Sequence, residues 1–146
     1  ILQADVIDEE MLKEQKAVYI TDAAKRRAMN RYYRMDSDGE YEFAEKLEND
    51  SNILLFTKLH KGGFVIDTPY GNYSPDWAIV YKNDNGDAKL YFIVETKCGK
   101  NEENLTDVEK TKIKCAKLHF SSDEIKFDWV NSYKDFKEKV NIISGV

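Results

Sequence analysis

The chain has 146 residues, enough for one domain of ordinary size. Hydrophobic residues make up 42%, which supplies a core, while 27 acidic against 22 basic residues leave a net charge of −5. That balance excludes a generally basic, sequence-indifferent nucleic-acid binder, but not an enzyme that holds a metal through carboxylates.

No apolar run approaches the roughly 18 residues of a transmembrane helix, so no membrane partner is expected. The N-terminus ILQADVIDEE lacks the basic-then-apolar order of a signal peptide, and Ile at position 1 points to a piece of a larger protein. Cys98 and Cys115 lack CxxC spacing, and with two histidines they make neither a disulfide scaffold nor a zinc site. A reducing cytoplasm is the expected location.

The first third reads as helical. Asp8 is placed to cap a segment through Lys16, and Thr21 or Asp22 to cap AAKRRAMNRYY, which is rich in helix formers. Lys25, Arg26, Arg27, Arg31 and Arg34 form the densest basic cluster, either a solvated face or a phosphate contact. Residues 1–36 are thus expected to be a helical N-terminal extension and 37–146 the main domain. Ser37 followed three residues later by Glu40 is a capping box opening the helix YEFAEKLE, and Glu40 lies on the face of Phe43, Ala44 and Leu47.

Strand periodicity then takes over. Ile53–Lys58 is a short apolar strand, Phe64–Asp67 another, and Thr68–Ser74 a turn-rich loop. WAIVYK and LYFIVETK are strands joined by a hairpin at Asn83–Gly86, where the Asn-Gly pair favours a tight turn. Thr106 with Glu109 caps a helix running to about His119, the alternation of Ile125, Phe127 and Trp129 predicts a last strand, and Ser132–Val140 a terminal helix. Antiparallel hairpin strands followed by a helical crossover imply an α/β fold with a mixed sheet flanked by helices.

The chemistry sits at one end of that hairpin. Side chains alternate along a strand, so Glu95 and Lys97 project from one side at the end of an otherwise apolar strand. Antiparallel pairing sets Asp76, at the start of the preceding strand, across from them. Two carboxylates and a lysine at a strand end suit a hard divalent cation such as Mg²⁺, which is commonly held by one or two carboxylates plus phosphate and water. The matching reaction is phosphodiester hydrolysis. The bland alternative is a loop cap at Asp76 beside a surface ion pair. Lys112 and His119, about two turns apart on one helix, either contact phosphate or form the polar edge of that helix. Tyr70 and Tyr73, flanking the Pro-Asp strand, either meet DNA or, as loop tyrosines more often do, simply pack, and are not counted among the site residues.

Pro75-Asp76 followed by Glu95-Thr96-Lys97 resembles the PD-(D/E)xK nuclease superfamily, whose core has the order αβββαβ. TPYGNYSPDWAIVY and LYFIVETK are similar to the C-terminal endonuclease domain of the Res subunit of type III restriction enzymes, with GNYSPDWAIV the most specific block. The similarity extends to Glu40, Phe43, Ala44 and Leu47, to Thr57-Lys58-Leu59, and to Glu109, Lys112, Ile113, Cys115, Ala116, His119 and Phe120. It departs at Cys98, where Gly is expected, and at His60, where Pro is expected.

The resemblance implies Asp76 and Glu95 as metal ligands, a further ligand from the Thr96 carbonyl, and Lys97 as the catalytic lysine. Glu40 matches the acid often supplied by the first core helix, with the cap as its other reading and Glu42 as a rival. Mg²⁺, with Mn²⁺ as a substitute, would be the cofactor, double-stranded DNA the substrate, and a modification methyltransferase subunit a partner through the parent protein. No GxxxxGK[ST] motif occurs, so ATP would act only through regions absent from this chain. Other expectations for the same fold are a non-catalytic DNA-contact or docking module, or a resolvase or repair nuclease.

Overall fold

The structure, a computed structural model, describes residues 18–35, 37–60, 64–83, 89–121 and 124–143. A short antiparallel pair, β1 (Val18–Ile20) and β2 (Tyr32–Arg34), precedes helix α1 (Asp38–Glu48). Strand β3 (Ile53–Lys58) follows, then a small hairpin of β4 (Ile66–Thr68) and β5 (Gly71–Tyr73). Strands β6 (Trp77–Lys82) and β7 (Lys89–Thr96), helix α2 (Asp107–His119), strand β8 (Ile125–Val130) and helix α3 (Tyr133–Ile143) complete the order.

The central sheet runs β3-β6-β7-β8. Its first three strands are antiparallel neighbours, and β8 lies parallel to β7 after the crossover through α2. This is the mixed α/β sheet flanked by three helices, in the αβββαβ order, that the sequence implies.

Burial follows the pleat. Trp77, Ile79 and Tyr81 alternate on the side of β6 that faces the main core. They meet Phe43, Ala44 and Leu47 from α1 and Phe136 and Val140 from α3. The opposite face carries a second cluster, in which Ile113 and Ala116 of α2 meet Phe127, Ile66 and Tyr73. Helix starts obey the capping chemistry: Thr106 and Glu109 form a reciprocal box at α2, and Ser37 Oγ accepts the Glu40 N–H at 3.2 Å at α1.

Two expectations need correction. AAKRRAMNRYY is not helical: it is a turn at 23–25, a bridge from Ala28 to Phe56, and strand β2. Tyr19 and Tyr33 are buried in the main core while their neighbours Tyr32 and Arg34 are exposed, a two-residue period, and Arg26 has a φ of 57° that no helix accommodates. Tertiary burial of the two tyrosines overrides local helix propensity. The segment read as strand then loop, 64–74, is instead the β4–β5 hairpin, with Gly71 at a φ of 104° after the turn. The helix expected between Asp8 and Lys16, and the tip of the Asn83–Gly86 turn, lie outside the described residues.

Candidate active site

The β6–β7 register pairs Trp77 with Val94, which sets Asp76 opposite Glu95. Pro75 has no N–H to offer a ladder and is placed just before the strand begins, fully buried. Asp76 is held from both sides. Its backbone carbonyl accepts the Leu59 N–H at 2.7 Å, and its Oδ2 accepts the Thr96 N–H at 2.8 Å and the Thr96 hydroxyl at 2.7 Å.

Asp76, Glu95, Thr96 and Lys97 share the wall of an open cavity of about 600 Å³ with Glu40. Glu95 is 6% exposed, accepts the Tyr73 hydroxyl at 2.7 Å through Oε1, and lies 3.3 Å from Lys97 Nζ through Oε2. Burial, and then the Asp76 charge, push the Glu95 carboxyl up to about 7 against the opposing pull of Tyr73 and Lys97. Lys97 also reaches Glu109 Oε2 at 3.0 Å. Burial alone would lower the Lys97 ammonium, but Glu95 and Glu109 outweigh it and hold its pKa above the usual value.

The structure places Glu40, not Glu42, in the cavity. Its N–H is the one capped by Ser37, and its carboxylate sits 6% exposed with Lys58 Nζ 3.7 Å away, whereas Glu42 is exposed. Lys112 lines the same cavity. His119 is exposed at the far end of α2 beside the Phe64 and Phe120 rings.

Two residues at this site were not among the site residues read from the sequence. Tyr73 is carried in by the β4–β5 hairpin, where its ring packs edge-on against Phe127. Tyr73 is 7% exposed, and its one sequence signal was its place in the block GNYSPD, three residues before Asp76. Glu109 forms the α2 capping box and turns the same carboxylate to Lys97 and Lys100. The Thr106 N–H, then the two lysines, hold its carboxyl down at about 2.

Among the described residues, no group of three or more His, Cys, Asp or Glu side chains is arranged to hold a metal. The donor set is therefore two carboxylates, Asp76 and Glu95, facing one cavity. Hard oxygen donors, one of them raised in pKa by burial and then by the charge of the other, fit a divalent cation that keeps part of its water shell, as Mg²⁺ does.

Among the described residues, no helix is long and apolar enough to cross a membrane. A family model described as "Endonuclease domain" matches residues 26–136, which include every residue of this cavity. No curated protein and no solved structure matches the chain.

Proposed function

The chain belongs to the endonuclease-domain family, a restriction-endonuclease-like group of nucleases, and from that premise we propose that it is the metal-dependent DNA endonuclease domain of a type III restriction enzyme. The observation that carries the proposal is the convergence of Asp76, Glu95 and Lys97 in one cavity at the open end of the β6–β7 hairpin. The type III assignment rests on the resemblance through GNYSPDWAIV and LYFIVETK.

In this reading Asp76 and Glu95, with the Thr96 carbonyl, hold Mg²⁺ or Mn²⁺. When bound, such a cation would lower the pKa of water and offset charge on the scissile phosphate. The chain's own groups do the rest. Thr96 fixes the Asp76 carboxylate through two donors, and Tyr73 orients Glu95. Lys97, kept protonated by Glu95 and Glu109, serves as a cation for the developing negative charge and orients the attacking water. Glu40, balanced by Lys58, adds an acid on the other side of the cavity. Duplex DNA is the substrate, and the modification subunit and ATP act through the parent protein.

A non-catalytic docking module would not need this set. The carboxylates and lysine here converge on one cavity, with Glu95 buried at the cost of a raised pKa, an arrangement typical of reaction sites. The test is supercoiled plasmid incubated with the protein in Mg²⁺, Mn²⁺ or EDTA. Nicking in either metal and none in EDTA is expected. Cleavage that persists in EDTA contradicts the proposal, as does a calorimetric titration that finds no Mn²⁺ bound even with DNA present.

A further inference from the structure

A second cavity of about 380 Å³ opens beside the first. Its wall includes Asn30, Tyr32 and Arg34 from the N-terminal hairpin and Lys58 and His60 from the end of β3. Tyr32 and Arg34 are two residues apart on a strand, so they present on one side, and both are exposed, as is His60. Arg31 lies over the Tyr32 ring, 5.7 Å from its centroid, and adds a cation at the rim. Among the described residues that line this cavity, none is acidic, although the chain as a whole carries a net charge of −5.

The two cavities adjoin. Lys58 lines the second, and its Nζ lies 3.7 Å from Glu40, which lines the first. The next residue, Leu59, donates its N–H to the Asp76 carbonyl. A ligand lying along the 58–60 strip therefore ends beside the residues that carry the carboxylates. Cations along a groove with an exposed aromatic ring make the pairing that tracks a nucleic-acid backbone and stacks its bases or sugars.

We propose that this groove holds the DNA strand that continues from the scissile phosphate, with Arg34 on a backbone phosphate and the Tyr32 ring against a sugar or base. The proposal rests on the endonuclease reading above and gives it a substrate-binding track. It also divides the basic cluster by role. Arg27 is structural, donating to the Ile53 and Glu48 carbonyls, whereas Arg34 faces the groove.

The test is fluorescence anisotropy of a fluorescein-labelled DNA duplex with the full chain, in EDTA and across a salt series, with nicking in Mg²⁺ assayed separately. Arg34→Ala is expected to weaken binding about tenfold at low salt and to flatten the slope of log affinity against log salt by about one phosphate contact. Arg34→Lys should recover most of the slope, and Tyr32→Ala should weaken binding with the slope kept. Lys89→Ala removes the same charge at the opposite end of β7 and should bind as wild type does. Thermal melting of each variant checks the fold. Wild-type affinity in both Arg34→Ala and Tyr32→Ala, or an equal loss in Lys89→Ala, overturns the groove. A chain that binds DNA through Arg34 but never cuts it overturns the endonuclease reading and leaves the groove standing. A chain that cuts DNA while Arg34→Ala and Tyr32→Ala both bind normally overturns the groove alone.

Discussion

At the scale of the residue, the site depends on groups that hold other groups. Tyr73→Phe removes the 2.7 Å donor to Glu95 while keeping the ring against Phe127. We expect the single-turnover cleavage rate to fall about tenfold with DNA affinity unchanged, since the loss falls on orientation rather than on binding. An affinity loss without a rate loss would place Tyr73 on the DNA instead. Glu109→Gln is a cleaner probe of Lys97, because Gln still completes a capping box but cannot pair with the ammonium. Its unfolding midpoint should stay near wild type while the rate falls. A large stability loss would mean that Glu109 matters mainly as a cap. Asp76, Glu95 and Lys97 were legible because strand alternation and one hairpin place them. Tyr73 and Glu109 were not, because they reach the site through a hairpin folded onto α2 and through the start of α2 docked at the end of β7. Neither contact is encoded by local spacing.

At the scale of the element, the helices are tied to the sheet by a few specific contacts. A Cβ at Gly39 would lie 2.4 Å from Cys98 Sγ and 2.6 Å from Cys98 Cβ. Gly39→Ala should therefore push the start of α1, and Glu40 with it, away from the end of β7, destabilising the fold by about 1–3 kcal/mol. Cys98→Gly in the same chain should restore most of the loss in urea unfolding, and additive losses would contradict the clash. The departure at Cys98 noted in the sequence is thus answered by a glycine on the facing helix.

Asp50, just after α1, accepts from Tyr133 at 2.5 Å and from Lys137 at 2.8 Å, both on α3. Burial opposes its ionisation, but the Lys137 and Tyr133 donors outweigh it and hold its carboxyl below the usual range. A carboxyl depressed on folding stabilises the native state above its unfolded pKa of about 3.9, and that contribution disappears as the pH falls through the folded value. Urea midpoints of wild type should fall below about pH 4 more steeply than those of Asp50→Asn. Parallel curves would contradict the tie. The helices and long strands at this scale were legible from caps and periodicity. The N-terminal hairpin was not, because AAKRRAMNRYY favours a helix locally, and only the burial of Tyr19 and Tyr33 in the core makes it a turn and a strand.

At the scale of the molecule, charge is distributed by role. Acids gather where a cation would sit, at Asp76, Glu95 and Glu40, and cations gather in the adjoining groove. On a body with a net charge of −5, DNA binding should be weak and should fall further as salt rises. The net charge was plain in the sequence, but its division between two adjoining cavities required the fold, since Arg34 and Lys58 come to line one cavity only when the N-terminal hairpin packs beside β3. The central claim is that the Asp76 cavity cuts DNA. Its most direct test is plasmid nicking by wild type and Asp76→Ala side by side at the same Mg²⁺ concentration, with circular dichroism confirming that both are folded. The account predicts nicking by wild type and none by Asp76→Ala. Nicking by the folded Asp76→Ala protein at the wild-type rate would contradict it.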